Sequence, residues 1–167
     1  MIDNPTELEM CLDQLSLSLG ELVFIPINDA QDPSIVGGGS HWSLLVFHRA
    51  SNAFFHMDSV SSSSNNRSYA INYAKNLYPV LHVEELTGYS FVDVKSSPQT
   101  NGYDCGIYLI SNAEVTHNFF LARKLTSKFE LGELEEALKV EVTSASVKNK
   151  RKLLLGLVDE FSKNHSH

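Results

Sequence analysis

The chain has 167 residues, of which 43% are hydrophobic and 10% aromatic, and its formal charge at pH 7 is −7. This length and composition are typical of one globular domain with a buried core, which excludes general disorder. The negative charge disfavours nucleic acid as a partner, because it repels the phosphate backbone. No apolar run approaches the roughly 18 residues that a membrane span needs, and the N-terminus does not read as a signal peptide.

The chain contains two cysteines, Cys11 and Cys105. A secreted scaffold of this size usually carries more cysteines, and two of them without a CxxC pair cannot build a usual structural zinc site. The composition therefore predicts a reduced, intracellular protein. We expect no metal and no organic cofactor.

The first part of the chain contains one clear strand. Residues 1–20 form an atypical lead-in in which leucine spacing fits either a helical turn or an extended segment. Residues 21–27 (ELVFIPI) predict a strand, and Pro26 makes a central position in a sheet less favourable. A loop follows over 28–40 and contains three consecutive glycines, Gly37 to Gly39, which permit unusual backbone angles.

The next two apolar runs predict an antiparallel hairpin. Residues 41–48 (HWSLLVFH) and 53–59 (AFFHMDS) flank the polar turn 49–52. Both runs are apolar at consecutive positions, as at Leu44 and Leu45, which predicts a sheet covered on both faces.

The remainder of the chain alternates helices with one further strand. Tyr69, Tyr73, Leu77 and Leu81 recur every four residues and predict a helix with these side chains on one face. Further predicted elements are a strand within 84–95, a buried helix over 105–121, amphipathic helices near 130–142 and 147–163, and a polar tail at 164–167. In the long helix, Ile107, Ile110, Glu114, His117 and Leu121 share one side, with Tyr108, Val115 and Phe119 nearby. The fold class is α+β in a single domain over 1–167, with a short mixed sheet flanked by helices.

Cys105 is the first candidate for chemistry. It follows Gly102-Tyr103-Asp104 and opens the long helix, where the positive end of the helix dipole favours a thiolate. Asp104 can cap the helix start. The alternative is a buried structural cysteine, which is the common fate of a free thiol.

The hairpin supplies an imidazole and a carboxylate. A turn centred between Arg49 and Ala50 pairs His41 directly with Asp58, whose carboxylate can then accept a hydrogen bond from Nδ1 of the ring. The alternative is a polar cross-strand pair at a sheet edge. The same pairing sets His56 opposite Ser43 and His48 at the turn, so neither gains an acidic cross-strand partner. We therefore expect both of these histidines to be structural or exposed.

A thiol, an imidazole and a carboxylate are the parts of a nucleophilic acyl transfer. Such a reaction also needs donors for the developing oxyanion. Gln99 lies six residues before Cys105, and its amide can fold back towards the thiol beside the Cys105 N–H. A loop glutamine alone is usually solvated, so this role depends on the other three residues.

Four segments of the sequence resemble a known family. VFIPIND, GGGSHWSLLVF, FFHMDS and PQTNGYDCGIYLI are similar to the ubiquitin-like-modifier cysteine proteases of the sentrin/SUMO-specific type, especially the deneddylase branch. The resemblance runs from about Leu22 through Phe120 and implies a papain-like cysteine protease fold of the ubiquitin-like protease type. It also implies that Cys105 is the nucleophile, His41 the general base and acid, Asp58 the residue that orients His41, and Gln99 the oxyanion-hole donor.

The resemblance also implies a substrate channel. Trp42 matches a tryptophan that covers the channel for the Gly-Gly tail of the modifier, although core packing alone would also explain a tryptophan here. The loop over 29–40 matches one that shifts on modifier binding, so Asn28, Asp29, Gly38 and Gly39 are candidate substrate contacts. The implied partner is a ubiquitin-like modifier, most of all the neddylation modifier, and its conjugates. We expect a monomer in the cytoplasm or nucleus.

Family members carry a further segment ahead of the position that matches Leu22, with a Trp-Leu-Asn-Asp-like helix start. The resemblance therefore implies that the N-terminal part of the domain is missing, and we expect weaker activity and stability than with that segment restored. One alternative function is a modifier-binding pseudo-protease or truncated isoform. A second is an acyltransferase with the same triad, against which Trp42 and the deneddylase-like hairpin argue.

Overall fold

A computed structural model of the chain describes residues 17–30, 32, 35, 37–60, 65–81 and 88–164. Most of the predicted lead-in over 1–20, including Cys11, and most of the tail at 164–167 lie outside the described residues. The single domain over 1–167 stays a prediction. No helix in the described part of the chain has the length and hydropathy of a membrane span.

The sheet contains four strands in the order β1-β2-β3-β4. They are β1 (Leu22–Asn28), β2 (Trp42–His48), β3 (Ala53–Met57) and β4 (Ser90–Val94). The first two pairings are antiparallel and the last is parallel, which confirms the short mixed sheet. Pro26 lies in the edge strand β1, the type of strand to which proline is usually confined in sheets.

The two central strands are buried on both faces, as their continuous apolar sequence predicts. Leu44, Val46 and Phe55 belong to the core on one face. On the opposite face, Leu45 and Phe47 belong to a second core. Helices pack against both cores, so the prediction of a sheet covered on both sides is confirmed.

The turn of the hairpin differs from the predicted one. His48 pairs with Ala53, so the turn is centred between Ala50 and Ser51 and every cross-strand partner is shifted by two residues. Arg49–Ser51 form a short 3-10 turn, and Asn52 closes it in the left-handed region with φ 46°, which asparagine tolerates better than most residues. The predicted direct pairing of His41 with Asp58 is therefore wrong. A shift of two residues keeps each side chain on its expected face.

Four α-helices surround the sheet. They are α1 (Asn66–Leu77), α2 (Cys105–Ala122), α3 (Leu131–Glu141) and α4 (Ser144–Asn164). The bounds of α2, α3 and α4 are close to the predicted ones, including a start at Cys105, whereas α1 ends at Leu77 and the predicted Leu81 lies in a following 3-10 turn, Tyr78–Leu81. Helix α1 packs on the Leu45 face of the sheet, and residues of α2, α3 and α4 belong to the core on the Leu44 face.

Helix α1 buries only part of the stripe that its tyrosines and leucines form, since Leu77 is buried and Tyr69 packs against the core on the Leu45 face. The buried positions are Asn66, Ala70, Ala74 and Leu77, whereas Tyr73 is 42% exposed. Two alanines in this stripe allow the helix backbone to approach the sheet closely. A prediction based only on large apolar residues therefore misses alanines that face the core.

The sequence did not predict which side of helix α2 faces the sheet. Its inner face carries Tyr108, Val115 and Phe119, whereas Ile110 and Leu121 are 38% and 55% exposed. The helix is apolar almost all round, and such a pattern does not define which side faces the sheet.

The orientation of α2 predicts unequal effects of truncation at two adjacent residues. Phe120 is fully buried among Phe55, Phe119 and Phe129, whereas Leu121 is 55% exposed. Phe120→Ala should lower the free energy of unfolding by about 3–5 kcal/mol because it leaves a cavity. Leu121→Ala should change it by about 0.5 kcal/mol or less. Denaturant titration measures both values, and similar losses would contradict this orientation.

Candidate active site

His41 and Asp58 lie just outside the ends of the neighbouring strands β2 and β3, and they are hydrogen-bonded. Nε2 of His41 is 2.6 Å from Oδ1 of Asp58, and each side chain is 11% exposed. The prediction of an Nδ1 contact is wrong. The shifted register sets the two residues diagonally, and the ring atom that spans this longer separation is Nε2, which lies farther from the backbone. Nδ1 is left as the ring nitrogen for a second partner.

The backbone of His41 is held from both sides by the last residue of β1 and the loop that follows it. Oδ1 of Asp29 accepts the N–H groups of Ser40 at 2.5 Å and His41 at 2.8 Å, and Oδ2 accepts the Ser40 hydroxyl at 2.8 Å. Asn28 Nδ2 donates to the His41 carbonyl at 3.2 Å. Burial would raise the pKa of Asp29, but the hydrogen bonds from His41 and Ser40 hold that pKa below its ordinary value.

Gly39 allows this arrangement. Its φ is +79°, and a Cβ atom there would lie 2.1 Å from Oδ1 of Asn28, which itself accepts the Ala30 N–H at 2.8 Å. Gly38 lacks a positive φ, although a Cβ would lie 3.0 Å from the Ile35 carbonyl. Of the four loop residues predicted to contact substrate, Asn28, Asp29 and Gly39 thus support His41. Whether they also touch substrate stays a prediction.

Gln99 connects the Asp58 strand end to the loop before Cys105. Its Oε1 accepts the Ser59 hydroxyl at 2.7 Å, and its Nε2 donates to the Asn101 carbonyl at 2.7 Å. The backbone N–H of Gln99 also donates to the Ser59 carbonyl at 3.0 Å. Because a carbonyl can only accept, the Asn101 contact fixes which end of the amide carries the nitrogen. One of the two Nε2 hydrogens is used here.

Asn101, rather than Asp104, orders the turn before the helix. Its Oδ1 accepts the N–H groups of Tyr103 at 3.1 Å and Asp104 at 3.0 Å, as in an Asx turn. Asp104 occupies the N-cap position of α2, but its side chain makes no capping hydrogen bond. Its carboxylate instead accepts from Asn101 Nδ2 at 2.7 Å and from Arg151 Nε at 2.5 Å. The predicted side-chain cap is wrong because a cation competes for the same carboxylate.

Cys105 is the first residue of α2 and is 7% exposed. Its thiol is free. Among the described residues, no hydrogen bond joins this thiol to the His41 ring. A continuous run of hydrogen bonds and adjacent residues nevertheless leads from His41 through Asp58 and Gln99 to the start of α2. The four residues predicted to perform chemistry therefore lie on one connected scaffold.

Arg151 of α4 contacts the loop that precedes Cys105 and helps to fix its position. Besides its contact with Asp104, it donates from Nη2 to the Tyr103 carbonyl at 2.8 Å, and its guanidinium lies 5.2 Å from the centre of the Tyr103 ring. Burial would raise the pKa of Asp104, but its hydrogen bonds with Asn101 and Arg151, and the charge of Arg151, hold that pKa below its ordinary value.

Trp42 and the two remaining hairpin histidines have distinct environments. Trp42 is 42% exposed at the start of β2, so core packing does not account for it. His48 is buried, stacks on Phe120 with ring centres 4.1 Å apart and bonds Ser51 at 2.7 Å, which confirms a structural role. His56 is buried too and contacts the Ser43 hydroxyl at 3.1 Å.

The prediction that His56 lacks an acidic partner is wrong. Its Nδ1 lies 3.5 Å from Oδ1 of Asp93, the residue that pairs with it on β4. Burial lowers the pKa of His56, and the nearby carboxylates of Asp58 and Asp93 oppose this only in part. The parallel pairing of β3 with β4, which the local sequence does not reveal, brings Asp93 to this position.

Three residues of the scaffold were not identified from the sequence. Ser59 follows Asp58 directly, and Asn101 stands in an Asn-Gly pair that marks a turn. The local sequence could therefore have identified both residues. Arg151 had none, because it lies 47 positions after Asp104. Within the described ranges, no group of three or more His, Cys, Asp or Glu side chains is arranged to hold a metal ion.

The Asp104 carboxylate predicts an acid-dependent loss of stability. The folded-state pKa of Asp104 lies below the ordinary 3.8. The ionised carboxylate therefore stabilises the folded state above pH 3.8, and this stabilisation is lost as the pH falls through the folded-state pKa. Asp104→Asn should lower the unfolding free energy at pH 6 by about 1.5 kcal/mol, and the difference from wild type should shrink towards pH 3. Denaturant titrations between pH 3 and 6 measure it, with Asp159→Asn on an exposed turn of α4 as control. A difference that stays constant with pH would contradict this account.

Comparison with known proteins agrees with these features. Residues 20–149 match the Ulp1 protease family, C-terminal catalytic domain. Sentrin-specific protease 8 of Homo sapiens is 42% identical over 70% of this chain and 53% of its own length. Probable sentrin-specific protease 8 of Dictyostelium discoideum is 29% identical over 97% of this chain and 72% of its own length. NEDD8-specific protease 1 of Arabidopsis thaliana is 33% identical over 70% of this chain and 50% of its own length.

A solved structure has the same fold. The SUMO protease Ulp1 with its catalytic cysteine oxidised to a sulfonic acid superposes with a TM-score of 0.53 at 19% identity, over 81% of this chain and 58% of that one. The chain spans about half the length of the human and Arabidopsis relatives. The expected family and fold are confirmed, and the chain belongs to the Ulp1 protease family of cysteine proteases.

Proposed function

We propose that the protein is a cysteine isopeptidase or C-terminal hydrolase that removes or processes a ubiquitin-like modifier. The observation that carries the proposal is the connected set of hydrogen bonds that holds the His41–Asp58 pair, the Gln99 amide and the loop before Cys105. These are the base, its orienting carboxylate, an oxyanion donor and a nucleophile at a helix N-terminus. Their spacing along one scaffold supports a single acyl-transfer site.

In the first half of the proposed reaction, the Cys105 sulfur attacks the carbonyl carbon of the terminal glycine of the modifier. His41 takes the thiol proton through Nδ1, the nitrogen that Asp58 leaves free. The Gln99 amide and the Cys105 N–H hold the oxyanion that forms. Collapse of this intermediate breaks the C–N bond, and His41 gives its proton to the departing lysine or peptide amine.

In the second half, water hydrolyses the thioester. His41, now neutral, accepts a proton from the water, and the water oxygen attacks the same carbonyl carbon. The C–S bond breaks, the proton on His41 returns to the Cys105 sulfur, and the modifier leaves as a carboxylic acid that releases its remaining proton to water. Throughout, Asp58 keeps the imidazole in one tautomer and stabilises it when it is charged, and the reaction needs neither metal nor organic cofactor.

The names of the relatives support one modifier in particular. Proteins from Arabidopsis and fission yeast that match this chain are called NEDD8-specific proteases. We infer that the neddylation modifier and its conjugates are the substrates, and that the exposed ring of Trp42 covers the channel for the Gly-Gly tail. A reduced thiol at Cys105 suits the cytoplasm or nucleus.

The proposal predicts covalent capture of one specific cysteine. A neddylation modifier that carries an electrophile in place of its terminal carboxylate should label the wild-type chain, and Cys105→Ser should abolish the label because a serine hydroxyl is hardly ionised near neutral pH. Cys11→Ser is the matched control and should retain nearly all labelling. Intact-protein mass spectrometry followed by peptide mapping measures both.

Two results would overturn the proposal. One is labelling at Cys11 instead of Cys105. The other is equal labelling when the modifier is unfolded by heat before use, since an enzyme that recognises a folded modifier requires its surface as well as its reactive end.

A further inference from the structure

A pocket lies beside the loop that leads into Cys105. Its volume is about 360 Å³, and it is bounded by that loop on one side and by α4 on the other. The loop contributes Asn101, Tyr103 and Asp104, and α4 contributes Lys148, Arg151, Lys152 and Leu155. The pocket therefore shares its wall with the segment that positions the proposed nucleophile.

The charge of this pocket is opposite to that of the chain. Three basic side chains face one carboxylate, whereas the whole chain carries −7. Arg151 is already paired with Asp104. Among the residues that the structure describes, neither Lys148 nor Lys152 forms an ion pair with a carboxylate, and both side chains are exposed. Two cations one helical turn apart repel each other, so an anionic group between them would relieve this repulsion.

The lining also suits a peptide better than a small ion. Tyr103, Tyr108 and Leu155 give the pocket an apolar side, and the Thr100 and Ser144 hydroxyls lie 3.5 Å apart along its wall. A carboxylate side chain and its neighbouring backbone would use both the cations and the apolar side. A lone phosphate would use only the cations.

The position of the pocket indicates which part of a substrate could reach it. Neither Trp42 nor any described residue of the loop between β1 and β2 lines it. On the proposed function, the Trp42 side receives the tail of the modifier. We propose, on the basis of that function, that this pocket binds an acidic side chain of the conjugated protein, close to its modified lysine.

The proposal predicts a preference for acidic flanks. The substrates are conjugates in which the neddylation modifier is joined to the lysine of a short peptide by an isopeptide bond. The KM should be about 5- to 10-fold lower for a peptide with one Glu on each side of the lysine than for a peptide with one Gln on each side. Two exposed charge pairs give an effect of this size. The preference should weaken at high salt, because ions screen exposed charges.

Charge reversal at the pocket provides the variant. The double substitution Lys148→Glu with Lys152→Glu should abolish the preference and leave cleavage of the Gln-flanked conjugate unchanged. Lys128→Glu with Lys163→Glu makes the same change of net charge at exposed lysines that do not line the pocket, and should keep the preference. Equal KM values for both conjugates in wild type, or a preference that survives in the Lys148/Lys152 variant, would overturn the proposal.

A binding measurement separates this proposal from the proposed function. Fluorescence anisotropy of a labelled Glu-rich peptide without modifier should report binding to the wild type, even if no conjugate is cleaved. The Lys148/Lys152 variant should bind the peptide with a 5- to 10-fold weaker affinity, which is about the effect of two exposed charge pairs. Inorganic phosphate should compete only weakly. Displacement of the peptide by phosphate at equal concentration would mean an adventitious ion only, and it would overturn the assignment of a peptide.

Discussion

The hydrogen bond between His41 and Asp58 joins residues that lie just outside two adjacent strands, so its geometry depends on the register of the hairpin. Asn52, in the left-handed region, closes the four-residue turn that sets this register. The resulting diagonal approach directs the carboxylate to Nε2 and leaves Nδ1 free. The turn after the far end of β2, a strand of seven residues, therefore determines which nitrogen of the His41 ring stays free.

The remaining parts of the site are held relative to this pair by short polar contacts rather than by the apolar core. Asp29 and Asn28 fix the backbone of His41 on one side. On the other side, Gln99 and Asn101 connect the end of β3 to the start of α2. Loops that carry function are commonly positioned by a rigid scaffold in this way, and here α4 adds a brace through Arg151.

Much of the fold could be predicted because short stretches of sequence determine the elements concerned. The apolar run of β2 predicts a buried central strand, Pro26 predicts an edge, and the start of α2 at Cys105 follows from its position after a polar turn. The inward faces of α1 and α2 could not be predicted, since alanines at the α1 contact and apolar residues all round α2 leave the orientation to tertiary packing. Within the site, spacing and chemistry predicted the hairpin residues and Gln99, but the spacing argument placed the cross-strand partners two residues away from their actual positions. Asp93 and Arg151 could not be found, because only the folded chain brings them to His56 and Asp104.

The central claim is that the His41–Asp58 pair activates Cys105, and the rate of thiol alkylation tests it without any assumption about substrate. Iodoacetamide modification of Cys105, followed by peptide mapping at pH 7, should be about tenfold slower in His41→Ala and also slower in Asp58→Asn, because a thiolate reacts and a thiol does not. Circular dichroism would establish that both variants keep the wild-type fold. Equal alkylation rates in the wild type and both folded variants would contradict the account.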